Sequence, residues 1–218
     1  MKHLNNYDYK IPKIWLYEVK GVEDVATLEE IEIAKKLSKT RAKLFLESRY
    51  YIRLSLSTLF NIDPLKIPID ANPGEPPKLP IEMGNISLSH CKDAIVVAWH
   101  RSKIGIDIER RDRDFNYLKI FEKYFTHTNK SKNYDNLSKT NILNQWCAVE
   151  AAIKCDRGRL AKDLENWHYF ENQKKLIHKK KNLHLNYSQI NFHNWTLTLV
   201  YKEKNFMNRL FICSSKIF

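Results

Sequence analysis

Ile104-Gly105-Ile106-Asp107-Ile108-Glu109 is the stretch on which the reading of the fold turns. Side chains alternate along an extended chain, so the three isoleucines take one face and Asp107 and Glu109 the other, roughly 7 Å apart. The isoleucine face needs a core. The two carboxylates repel one another unless solvent or a cation intervenes, and hard divalent ions such as magnesium take carboxylate oxygens. Taken alone, the hexapeptide fits an exposed strand face with two ordinary carboxylates equally well.

Working outward, strand-like apolar runs precede it at 14–17, 86–89 and 94–99. Thr27-Leu28-Glu29-Glu30 has the form of a capping box and predicts a helix to about Leu37. Ser38 then caps a longer helix reaching Phe60, stopped by Asn61-Ile62-Asp63-Pro64. The stretch 70–80 holds Pro73, Gly74, Pro76, Pro77 and Pro80, which predicts an irregular surface loop. Beyond the hexapeptide, helical patterns cover about 115–125 and 139–155, and runs at 183–185, 195–201 and 210–212 read as strands joined by polar turns. Helices followed by strands thus occur on both sides of a boundary near residue 103. The order predicts an α+β protein of two halves, 1–103 and 104–218.

The chain has 218 residues, 43% hydrophobic and 28% charged, a globular balance with enough length for a substantial core. No apolar run approaches the roughly 20 residues of a membrane-spanning helix. Met1-Lys2-His3-Leu4-Asn5-Asn6 lacks the apolar stretch of a secretory signal, so a cytoplasmic protein is expected. Cys91, Cys147, Cys155 and Cys213 form no C-x-x-C pair and no zinc-ligand spacing, and are expected as reduced, mostly buried thiols. The formal net charge of +12 calls for an anionic partner without choosing among nucleic acid, membrane, phosphorylated cofactor and acidic protein. Part of that charge lies in Lys174-Lys175 and Lys179-Lys180-Lys181, which read as solvated loops or hairpins.

Three further groups carry chemical potential. On a helix, Trp146, Glu150 and Lys154 stand at i, i+4 and i+8 and form one stripe; a glutamate–lysine pair at that spacing is also common on plain helix surfaces. Ser87-Leu88-Ser89-His90-Cys91 places a histidine at a strand end, where it is either a hydrogen-bonded loop residue or a ligand contact. Arg41, Arg49 and Arg53 lie on the second helix. Arg49 and Arg53, one turn apart, share a face and could clamp a phosphate.

In series, helix-Arg, S-x-S-H, G-I-D-I-E and W-x-x-x-E-A-x-x-K resemble the phosphopantetheinyl transferase superfamily. The likeness is to the single-chain branch that serves surfactin- and enterobactin-type assembly lines. It covers roughly residues 38–160, and His90 stands 17 residues before Asp107, as is usual there. The resemblance implies two pseudosymmetric α+β halves with the active site in the cleft between them. It implies a magnesium-dependent holo-[acyl-carrier-protein] synthase that moves 4'-phosphopantetheine from coenzyme A to a carrier-protein serine, releasing adenosine 3',5'-bisphosphate. Asp107, Glu109 and Glu150 would hold the magnesium, with Glu150 and Lys154 catalytic. Arg49, Arg53, Lys78, Ser89, His90 and Lys154 would contact coenzyme A, and the base for the serine is Glu150 or a water held by the metal. An acidic acyl or peptidyl carrier protein would be the partner and the chain a monomer, with no nucleic acid and no membrane.

Three positions depart from the family pattern. Val149 stands where a lysine usually precedes the catalytic glutamate, Glu75 replaces the lysine of a G-K-P loop, and Asn129 stands where a supporting carboxylate is usual. On the family pattern, lysine at 149 is expected to be neutral or favourable. The competing readings are a catalytically impaired relative and a basic nucleic-acid-binding protein.

Overall fold

Helices and strands are both present, in an α+β arrangement, in a computed structural model that describes residues 11–21, 25–70, 75–125 and 138–202. The chain divides between Arg101 and Ser102 into two compact units, each with its own sheet. The expected strand at 210–212 lies outside the described residues, as do Pro73, Gly74, Asn129 and Cys213.

The first unit runs β1 (Lys13–Glu18), α1 (Leu28–Lys35), α2 (Lys39–Phe60), β2 (Asn85–His90) and β3 (Ala94–His100). The strands form an antiparallel sheet in the order β1-β3-β2. Central β3 is buried along its whole length, as its apolar run Ala94–Trp99 requires, and His100 at its end is buried with it. Tyr51, Ile52 and Leu56 of α2 pack with Trp15, Tyr17, Val97 and Trp99 of the sheet. The capping box forms: Thr27 Oγ1 accepts from Glu30 N at 3.2 Å and Thr27 N donates to Glu30 Oε2 at 2.9 Å. Asn61 ends α2 in the left-handed region (φ 54°), which asparagine adopts more readily than most residues.

The second unit runs β4 (Ile104–Arg110), α3 (Tyr117–Ile120, continued by a π-turn through Phe125), α4 (Lys139–Cys155), α5 (Leu160–Asp163), β5 (Trp167–Phe170), β6 (Lys175–His178), β7 (Leu183–Phe192) and β8 (Trp195–Tyr201). Its antiparallel sheet has the order β4-β8-β7-β6-β5. The lysine tracts fall at the turns on either side of β6, so they belong to hairpins. Strands β5 and β6 are not anticipated by the sequence reading; each has only four residues, flanked by charge.

Helix α4 is apolar on the face that meets the core, where Ile142, Ala148, Val149, Ala152 and Ile153 join Trp167, Leu176, Leu185, Tyr187 and Val200. It approaches β4 so closely that a Cβ at position 105 would lie 1.9 Å from the Ala151 carbonyl oxygen and 2.6 Å from Cys155 N. Only glycine fits there. The face of β4 carrying Gly105, Asp107 and Glu109 is therefore not an exposed strand surface: Asp107 is 2% exposed. Ile104, Ile106 and Ile108 on the other face are buried as well.

Gly105→Ala is expected to destabilise the protein by roughly 3 kcal/mol or more, because helix backbone rather than a flexible side-chain tip must give way. Chemical denaturation checks this; an unchanged unfolding midpoint would contradict the packing described.

Candidate functional site

β4 and α4 assemble an acidic group inside the second unit. Asp107 and Glu109 stand two residues apart on β4, and Glu150 and Lys154 one turn apart on α4. Lys154 Nζ donates to Asp107 Oδ1 at 2.6 Å, their side chains 29% and 3% exposed. Arg113, just beyond β4, donates from Nη1 to Glu109 Oε2 at 2.5 Å, and its guanidinium lies over the Phe115 ring at 5.1 Å. The strand register sets Thr198 opposite Asp107 and Thr196 opposite Glu109, and both threonines are fully buried. Gln189 Nε2 donates to Thr198 Oγ1 at 2.6 Å and to the Asn144 carbonyl at 2.8 Å, while Thr196 Oγ1 donates to Asn144 Oδ1 at 3.0 Å. Cys147 Sγ donates to the Asp107 carbonyl at 3.4 Å. This buried polar layer pins the rotation of α4 on the sheet and with it the direction of Glu150.

The electrostatics follow from crowding. Burial and the nearby Asp107 and Glu109 charges push the Glu150 carboxyl up to about 8, with Lys154 pulling the other way. Burial and Asp107 likewise raise Glu109, which the Arg113 bridge partly offsets. Burial draws the Lys154 ammonium down, but Asp107 and Glu150 outweigh that and leave it above its ordinary value. Ionised together, the three carboxylates would exceed the two cations by one negative charge, which the proton retained on Glu150 offsets near neutral pH.

That donor set suits a hard divalent cation in kind: all oxygen and all acidic. Among the described residues, no three His, Cys, Asp or Glu side chains are gathered in a metal-holding arrangement. Asp107 faces the ammonium of Lys154 and Glu109 the guanidinium of Arg113. The residues present fit the ion in chemistry, provided those two cations give way.

Apart from Lys154, the expected coenzyme contacts lie in the first unit. Arg53 is 3% exposed and is engaged within the fold. Its Nε and Nη2 hold the two oxygens of Glu30 at 3.1 and 2.9 Å, and Nη1 donates to the carbonyls of Pro64 and Ile67, both at 2.9 Å. The expectation that it grips a phosphate therefore meets a guanidinium already bound to the α1 start and the turn after α2. Arg49, also buried, lies with Nε 3.9 Å from Glu30 Oε1 and its guanidinium 4.8 Å from the Phe45 ring centroid. Burial holds Arg49 below the usual arginine range, against the pull of Glu30. Ser89 and His90 close β2, the serine buried and the histidine exposed. Lys78 pairs its backbone with Asp70, and its Nζ lies 3.8 Å from Glu75 Oε2.

Val149 requires a correction. It is 1% exposed and packs in the core of the second unit, where a lysine would have to bury its ammonium. Trp146 is partly buried, its ring 6.2 Å from Tyr124. Cys147 and Cys155 are buried thiols and Cys91 is partly buried; burial pushes Cys91 up to about 11 and Cys155 to about 12. Arg113, Thr196, Thr198 and Gln189 escaped the sequence reading. Arg113 alone left a trace there, four residues after Glu109. No helix among the described residues is long and apolar enough to cross a membrane.

Residues 103–206 match the model of the 4'-phosphopantetheinyl transferase superfamily. The matched span contains Asp107, Glu109, Arg113, Glu150 and Lys154, and it leaves out the first unit. No curated protein matches the chain.

The raised Glu150 carboxyl sets a pH dependence. Between its ordinary value and about 8 the folded state holds a proton that the unfolded state has released, so this group's stabilisation is complete at low pH and lost as pH rises through about 8. With metal chelated, wild-type protein should lose melting temperature relative to Glu150→Gln between pH 6 and 9. Parallel melting curves across that range would contradict the assignment.

Proposed function

We propose that this chain is a magnesium-dependent 4'-phosphopantetheinyl transferase that modifies a serine of an acyl or peptidyl carrier protein, as in the single-chain, surfactin- and enterobactin-type branch. The observation that carries the proposal is the convergence of Asp107, Glu109, Glu150 and Lys154 from β4 and α4, within the span that matches the superfamily. The element order supports the reading of two pseudosymmetric halves. In each unit the first strand pairs antiparallel with the last, and the last closes a hairpin with the strand before it.

On this reading Asp107, Glu109 and Glu150 hold magnesium, which supplies charge withdrawal from the pyrophosphate of coenzyme A. Lys154 stands beside Glu150 and neutralises charge on the departing phosphate. Arg49, His90, Ser89 and Lys78 of the first unit serve the coenzyme's phosphates, while Arg53 acts through Glu30 by fixing the start of α1 against α2. The carrier serine attacks the pantetheine-side phosphorus. A serine oxygen–phosphorus bond forms as the serine proton passes to Glu150 or a water, the phosphorus–oxygen bond between the two phosphates breaks, and adenosine 3',5'-bisphosphate leaves with the electron pair. The +12 charge favours encounter with an acidic carrier.

Intact-mass spectrometry tests the proposal. Carrier proteins of fatty-acid, polyketide and peptide type, incubated with coenzyme A and magnesium, should include one that gains a single phosphopantetheine. Asp107→Asn and Glu109→Gln should each lower the rate about 100-fold or more with unchanged circular dichroism. No mass gain on any carrier class would leave a non-catalytic relative as the better reading.

A further inference from the structure

Arg113 stands outside the residues to which the proposed reaction assigns a role, yet it is bound to one of them, Glu109. Its guanidinium donates to Glu109 Oε2 at 2.5 Å from four residues further along the chain, in the segment between β4 and α3. The two ends of this pair differ in their surroundings. The Glu109 side chain is 14% exposed and that of Arg113 is 37% exposed. A cation arriving at Glu109 therefore competes with a guanidinium that has water to move into, while Glu109 is held by the strand. The corresponding pair at Asp107 differs, because the Lys154 ammonium is more enclosed and also experiences Glu150.

We propose that Arg113 is a resident counter-cation that occupies Glu109 in the metal-free site and is displaced when a divalent cation binds there. The inference rests on the reading of Asp107, Glu109 and Glu150 as metal ligands. Arg113 is a positioning residue in this account: it keeps a half-buried carboxylate from standing uncompensated while no metal is present. It also sets the affinity for the metal, since cation binding must include the loss of its bridge. Once displaced, the guanidinium is a strong bidentate donor close to the metal ligands and pairs with a phosphate of the coenzyme. Metal and coenzyme binding are then mutually reinforcing, because the ion releases a group that the anion uses.

Calorimetric titration of the full chain with MgCl2 alone tests this on wild type, Arg113→Gln and Arg113→Lys. Removal of a partly exposed competing ion pair should tighten magnesium binding about 3- to 10-fold in Arg113→Gln. Arg113→Lys, which keeps the charge but not the fork, should fall between it and wild type. At saturating magnesium, coenzyme A should bind Arg113→Gln about 10-fold more weakly than wild type. Thermal melting confirms that each variant is folded. Magnesium affinity unchanged or weakened in folded Arg113→Gln would overturn the proposal and show that the bridge orients Glu109 for the ion instead. A wild-type protein that binds no magnesium would overturn the metal-site reading itself, a separate and distinguishable failure.

Discussion

The contact between α4 and β4 at Gly105 is the constraint from which the rest of the second unit follows. Cys147, Ala151 and Cys155 recur every four residues on α4 and are all buried, so the helix presents a stripe of small side chains to the sheet. Where that stripe meets Gly105, backbone nearly touches backbone. One residue before each of its members runs a second stripe, Trp146, Glu150 and Lys154. Its last two members are thereby carried to Asp107 and Glu109. The glycine does no chemistry, but a side chain in its place would separate the acids of the strand from those of the helix.

That closeness has an electrostatic consequence. Three carboxylates are brought into one poorly hydrated region with two cations to balance them, an arrangement that a fold selected only for stability has little reason to keep. The strain is visible in Glu150, whose carboxyl is pushed up to about 8 by burial and by its acidic neighbours. Around the group, threonine hydroxyls, an amide and a thiol fix the surrounding backbone and side chains, so the crowded acids are held in place. In the first unit Arg49 and Arg53 share the buried carboxylate of Glu30, and the buried Glu47 accepts from the backbone amides of Lys20 and Gly21.

Much of this was legible in the sequence, and the unread part has a common cause. Periodicity located β4 and α4, and the capping box at Thr27 and Glu30 formed as expected, because these are local effects. The second role of Glu30, as the partner of Arg53, depends on a residue 23 positions further along the chain and left no local sign. Gly105 read as part of a motif rather than as the point of closest approach, since a glycine's neighbours are set by tertiary packing. Val149 was read against the family pattern as a lost charge at the site, whereas the helix turns it into the core. Thr196 and Thr198 sit opposite the acids only through a strand register that closes 91 residues after Asp107. Short β5 and β6 were hidden because charged turns dominate their surroundings.

The claim on which the account stands is that Asp107, Glu109 and Glu150 can close on one hard cation. Crystals grown with manganese in place of magnesium, measured for anomalous scattering at the manganese edge, test it most directly. The account predicts one strong peak within bonding distance of carboxylate oxygens from all three residues, with Arg113 turned away from Glu109. A peak elsewhere, or none at this group while coenzyme A is bound, would contradict it.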